Sequence, residues 1–136
     1  DTGNDKESEK YYRSGLTDVQ AEKYLQKLIQ LMEMRKPFLE RTMTIHNLSR
    51  MTGIKRHHIT QVLNEKHGKN FFTFVNEYRV REVIERLKDP RYSNYTILAI
   101  AYDAGFNSKS TFNSIFKVHT GFTPSEYREK FAGLSE

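Results

Sequence analysis

The chain has 136 residues, 37% of them hydrophobic and 12% aromatic, enough for one compact domain with a small core and too many for a wholly disordered chain. It carries 22 lysines and arginines against 17 acids and no cysteine, which excludes disulfides, thiolate metal sites and cysteine nucleophiles. No apolar run approaches the roughly 20 residues of a membrane span, and Asp1 to Lys10 is too polar for a signal peptide, so a cytoplasmic fragment without membrane contact is expected.

Residues 1–16 lack periodicity and are rich in charge and small polar groups, the composition of a linker or inter-domain segment. Structure is expected from residue 17. Thr17 or Asp18 can cap a helix that carries Val19, Tyr24, Leu25, Leu28, Ile29 and Met32 at the spacing of one buried stripe and stops before Pro37. Thr44 precedes a short helix, Ile45 to Met51, broken at Gly53, and a second runs from Lys55 to His67 and stops at Gly68.

The longest helix is expected over Phe71 to Lys88, with Asp89-Pro90 as terminator. Thr96 then caps a short helix through Asp103, Ala104-Gly105 turns the chain, and Ser108 opens a helix to about His119. Thr123-Pro124, a cap followed by proline at the first helical position, starts a last helix with Tyr127 and Phe131. No segment reads as a strand. The expected architecture is all-α, with seven helices: a first helix-turn-helix unit over 17–68, a linker helix over 71–88 and a second unit over 96–131, together forming one domain over 17–136.

The order helix, glycine turn, helix occurs twice. Leu48-Ser49 and Gly53-Ile54 match Ile100-Ala101 and Gly105-Phe106 at a separation of 52. Beyond one extra residue, Ile59, Val62-Leu63 and Gly68 match Phe112, Ile115-Phe116 and Gly121, and Phe74 matches Tyr127 six residues past each glycine. In such a motif a small residue (Ser49, Ala101) lets the two helices approach, glycine permits the tight turn, and apolar anchors hold the second helix.

The residues between those anchors point outward: Arg56, His57, Thr60, Gln61 and Asn64 in the first copy, and Lys109, Ser110, Asn113 and Ser114 in the second. Gln and Asn can pair bidentately with adenine, Arg or Lys with guanine, and an α-helix fits the major groove of B-DNA. Charge agrees with this reading. Residues 23–136 hold 19 bases against 11 acids, and neither 41–64 nor 104–125 contains an acid. A helix of 18 residues would span about 27 Å, so a single chain could present two recognition helices, about 55–67 and 108–119, to successive major grooves. Thr44, Lys55, Arg56, Thr96 and Lys117 are the candidate phosphate contacts.

Three stretches carry a family resemblance: Ile100-Ala-Tyr-Asp-Ala-Gly-Phe106, Ser110-Thr-Phe-Asn-Ser-Ile-Phe-Lys117, and Thr120-Gly-Phe-Thr-Pro-Ser-Glu-Tyr-Arg128. Together they resemble the signature of the AraC/XylS family, over about residues 42–131. The resemblance implies seven helices in two helix-turn-helix subdomains, transcriptional control, and base-reading roles for His57, Thr60, Gln61, Lys109, Ser110, Asn113 and Ser114. The first copy departs from the common pattern at Ser49, where alanine is usual, and at His67, where threonine is usual. Residues 70–80 and 31–39 are similar to family members that form the output part of larger regulators, membrane-anchored ones included. The expectation is therefore a fragment of a longer protein with a sensor part elsewhere, through which it dimerises, acting on duplex DNA and on a protein partner such as RNA polymerase.

Other functions find less support. The five histidines show no His-x3-His pair or acid-flanked cluster, so no metal site is expected. No Gly-x-Ser-x-Gly, phosphate-cradling glycine loop or paired acids point to catalysis, so neither an enzyme nor a cofactor is expected. A basic helical module that binds RNA or a protein is the alternative. RNA recognition usually stacks bases on exposed aromatics, whereas most aromatics here fall at core spacing.

Overall fold

The computed structural model describes residues 15–131. Among these are the seven expected helices and no strand: α1 (Asp18–Arg35), α2 (Ile45–Thr52), α3 (Arg56–Lys66), α4 (Phe71–Lys88), α5 (Ile97–Asp103), α6 (Lys109–Thr120) and α7 (Pro124–Phe131). Two 3-10 turns, Pro37–Leu39 and Pro90–Tyr92, were not expected from the sequence. Of the linker expected over 1–16, only residues 15 and 16 lie within the described part; Gly15 is exposed, and Leu16 is buried.

The caps account for the starts. Thr17 accepts from the backbone N–H of Gln20, Thr96 from that of Ala99 and Ser108 from that of Thr111, each satisfying an amide that the first helical turn leaves without a partner. Thr44 and Thr123 make reciprocal boxes. The Thr44 hydroxyl accepts from the Asn47 amide while Asn47 Oδ1 accepts from the Thr44 amide at 2.7 Å, and Thr123 and Glu126 do the same with a carboxylate.

The chain forms two compact units. Among the described residues, unit one takes 15–36 together with Met43–Phe71, and unit two takes Pro37–Thr42 and 72–131. In unit one α1 packs against α2 and α3, and α2 against α3. Its buried side chains are mainly aliphatic, among them Leu25, Leu28, Met32, Leu48, Ile59, Val62 and Leu63. Val19, expected on the buried stripe of α1, is 66% exposed because the stripe starts only at Ala21.

Unit two has its own core of Val80, Val83 and Leu87 from α4, Ile100, Ala101 and Ala104, and Phe106, Phe112 and Phe116. Tyr127 of α7 meets Phe116 edge-on at 5.4 Å. Along the chain the same order thus occurs twice, an 18-residue helix, a proline-led 3-10 turn, a threonine-capped short helix and a longer helix, although the first of the two turns packs with unit two. The repeat extends back to α1, beyond the stretch where sequence identity shows it, and α4 serves as the opening helix of the second copy.

Polar contacts tie the loops of unit two. Arg79 donates to the carbonyls of Phe38 at 2.8 Å and Glu40 at 3.0 Å, and Arg41 donates to the Tyr102 carbonyl at 3.2 Å. These bonds attach Pro37–Thr42 to unit two although α1 and α2, which flank it in sequence, belong to unit one. Arg128 donates to the carbonyls of Tyr92, Ser93 and Tyr95, a use of the guanidinium fork that lysine's single ammonium cannot copy.

Candidate nucleic-acid interface

In both units the turn is made by glycine at positive φ, +77° at Gly53 and +108° at Gly105. The small residue before each turn differs in role. Ser49 donates its hydroxyl proton to the Ile54 carbonyl at 2.6 Å, which closes the first turn with a side chain. Ala101 uses backbone alone, its carbonyl accepting from the amides of Ala104 and Phe106. Serine at position 49, a departure from the common alanine, therefore has a local structural use.

Burial of Ile59, Val62 and Leu63 fixes the roll of α3, and burial of Phe112 and Phe116 fixes that of α6. On α3, Arg56, His57, Thr60 and Asn64 are exposed and Gln61 is half-buried. The Gln61 amide donates to Glu65 one turn on, at 3.5 Å. On α6, Lys109, Ser110, Asn113 and Ser114 are all exposed, and Ser110 shares a hydrogen bond with the Ser108 hydroxyl at 3.1 Å. All the expected base readers except the half-buried Gln61 are thus exposed on their own helices.

The two helix starts differ in charge and capping. Lys55 precedes α3 with no side-chain cap, and its carbonyl accepts from the amides of His58 and Ile59, so the helix starts among Lys55, Arg56 and His57 without a side-chain acceptor. Together with Ile45, His46, Ser49 and Thr60 these residues line an open cleft of about 610 Å³. Sequence periodicity did not select His46, because it sits on the first helix of the motif. At α6 the cap is Ser108, and Lys109 is the one basic residue in the first turn.

The expected phosphate contacts fall into two kinds. Lys55, Arg56 and Lys117 are exposed cations. Lys117 also helps hold the Glu126 carboxyl below its ordinary range, after the larger effects of the backbone and side-chain hydrogen bonds with Thr123. Thr44 and Thr96 are exposed but employed as caps. The Thr96 hydroxyl accepts from Ala99, and a threonine hydroxyl that only accepts keeps its proton to give. The Thr44 hydroxyl already meets Asn47 Oδ1 at 3.1 Å.

No group of three or more potential metal-ligating His, Asp or Glu side chains occurs among the described residues, and no helix among them is long and apolar enough to cross a membrane.

Residues 48–130 match the family described as a helix-turn-helix domain. The chain is 31% identical over 85 residues to the probable transcription factor PqrA of Proteus vulgaris, covering 62% of this chain and 67% of that protein. It is 33% identical over 95 residues to an uncharacterized HTH-type transcriptional regulator of Staphylococcus aureus, covering 69% of this chain but 12% of that regulator. Its fold is similar to that of an AraC-type DNA-binding transcriptional regulator from Chromobacterium violaceum, with a TM-score of 0.68, 20% identity, and coverage of 85% of this chain and 97% of that one. With the glycine turns, the apolar anchors and the repeated helix pair all in place, the chain belongs to the AraC-type helix-turn-helix family, whose domain binds duplex DNA sequence-specifically in transcriptional regulation.

Proposed function

We propose that this chain reads duplex DNA through α3 and α6 together, each entering one of two successive major grooves. The observation that carries this is the duplicated helix pair presenting exposed polar side chains from two stretches that contain no acid. His57, Thr60 and Gln61 are the base readers of unit one, and Lys109, Ser110, Asn113 and Ser114 those of unit two. Lys55, Arg56 and Lys117 contact phosphates by charge, with smaller neutral contributions from Thr44 and Thr96. The chain performs no chemistry on DNA; its product is occupancy of a site.

The larger protein context belongs to the same proposal. The chain is the output part of a longer regulator, as its 12% share of the staphylococcal regulator suggests, acting in the cytoplasm. A sensor part would govern dimerisation, and RNA polymerase is the expected protein partner. Selection of bound duplexes from a random pool tests the DNA reading. The expected result is an enriched bipartite site whose two halves are centred about one helical turn apart. Enrichment of a single half alone would overturn the two-groove reading, and no enrichment at all would favour a protein interface.

A further inference from the structure

Unit one's cleft holds two imidazoles for which unit two has no counterpart. His46, the second residue of α2, faces the same open space as Lys55, Arg56, His57 and Thr60. The matching positions in unit two are Leu98 for His46 and Ser110 for His57. Both histidines are exposed.

The charged and titratable groups around them come from three helices. At the start of α3, Lys55, its cap residue, and Arg56 line the cleft, and the His58 ring lies 4.3 Å from that of His57. On α2, Arg50 is exposed. On α1, Tyr24 lies 6.1 Å from His58, and Lys27 donates to the Thr52 carbonyl. The acids of these helices are engaged elsewhere or lie off the cleft: Asp18 pairs with Lys66, Glu22 accepts from Gln26, Glu65 accepts from Gln61, and Glu33 is exposed on α1. No carboxylate lines the cleft.

An imidazole changes charge between about pH 5 and pH 8, and its charged form offers a phosphate two N–H donors and a positive charge. A phosphate seated in the cleft favours the charged form of an imidazole beside it. Binding then takes up protons, and by linkage affinity rises as pH falls.

We propose that His46 is a phosphate-contacting residue of unit one, and that His46 and His57 together couple this unit's hold on DNA to pH, tightening it in acid. The inference rests on the reading that α3 faces DNA.

The test titrates the 136-residue chain with a mixed-sequence duplex of about 40 base pairs at constant ionic strength, between about pH 8 and pH 6. The parent's affinity is expected to rise about three- to tenfold over that range. His46→Gln should remove part of the rise, and His46→Gln with His57→Gln nearly all of it. His46→Arg, which fixes the charge, should bring affinity at the alkaline end toward the parent's acid value. His119→Gln, in unit two, should leave the rise intact. All these side chains are exposed, so melting curves should stay close to the parent's. A parent affinity that does not change with pH, or an undiminished rise in the double glutamine variant, overturns the inference.

Lys55→Gln with Arg56→Gln, followed against salt, separates the two layers. An unchanged salt slope sinks the placement of α3 on DNA. A flattened slope, with the pH response persisting in the histidine double variant, sinks the proton linkage alone.

Discussion

Unit one is built from leucine, isoleucine, valine and methionine; unit two, on the same plan, centres on Phe106, Phe112, Phe116 and the partly buried Tyr127. Unit one opens α3 without a side-chain cap among Lys55, Arg56 and His57, whereas unit two opens α6 under Ser108 and closes it with Gly121 and the Thr120 hydroxyl, which donates to the Phe116 carbonyl. The shared spacing of apolar positions sets the roll of each second helix, and either aliphatic or aromatic anchors satisfy it. What differs is the start of the second helix: a serine cap in unit two, cations and no side-chain cap in unit one.

The turn glycines should show the largest difference. A Cβ on Gly53 would meet nothing within 4 Å, whereas one on Gly105 would come within 2.1 Å of the Phe38 carbonyl oxygen and 2.6 Å of Arg79 Nε. Gly53→Ala should therefore cost only the left-handed backbone penalty, about 1–2 kcal/mol. Gly105→Ala adds a collision with backbone and should exceed about 4 kcal/mol. Denaturant unfolding of the two variants measures this, and equal losses would break the comparison.

The DNA-facing substitutions come next. Asn113→Ala should weaken binding to the selected site by about 1–3 kcal/mol while mixed-sequence binding barely changes. Arg56→Gln should weaken binding to both and lower the salt slope by about 1. Fluorescence titrations at several salt concentrations separate the two. If Asn113→Ala lost equally on all sequences, Asn113 would be gripping backbone, and its contrast with Arg56 would disappear.

A smaller effect tests the open start of α3. Lys55 has the extended backbone of a cap residue (φ −61°, ψ 142°), so Lys55→Ser should stabilise the fold by about 0.5–1 kcal/mol by supplying the missing acceptor. The same change removes a cation and occupies an amide, so DNA binding should weaken. A variant that is more stable and also binds as tightly would show that the uncapped start has no part in binding.

Much of this was legible in the sequence because it is local. Thr17, Thr44, Thr96, Ser108 and Thr123 announce helix starts within three residues, and the apolar spacing from Ile59 to Leu63 and from Phe112 to Phe116 fixes which side chains face out. The unread parts depend on distant partners. The attachment of Pro37–Thr42 to unit two rests on Arg79 and Arg41 reaching backbone carbonyls about 40 and 60 residues away in sequence, and a carbonyl acceptor leaves no trace in residue type. Leu16 is a lone apolar residue at the end of a polar segment, without periodicity to mark it. His46 escaped for the opposite reason: its exposure is ordinary, and only the fold brings it beside Arg56 and His57.

The smallest expected effect distinguishes the two capping boxes. Thr44 and Asn47 make theirs without a charge; Thr123 and Glu126 make theirs with a carboxylate held below its ordinary range, chiefly by the Thr123 backbone amide. A carboxylate with a depressed folded-state pKa contributes stability above its unfolded pKa, and loses it as pH falls through the lower, folded value. Glu126→Ala should therefore lower the melting temperature slightly near neutrality, by less than Gly53→Ala does, and the gap from the parent should close below about pH 4. The gap for Asn47→Ala should not change with pH, because nothing in that box titrates. If the Glu126→Ala gap stayed constant into acid, the box in unit two would act through its geometry alone, as the one in unit one does, and acid would leave the two boxes equally sound.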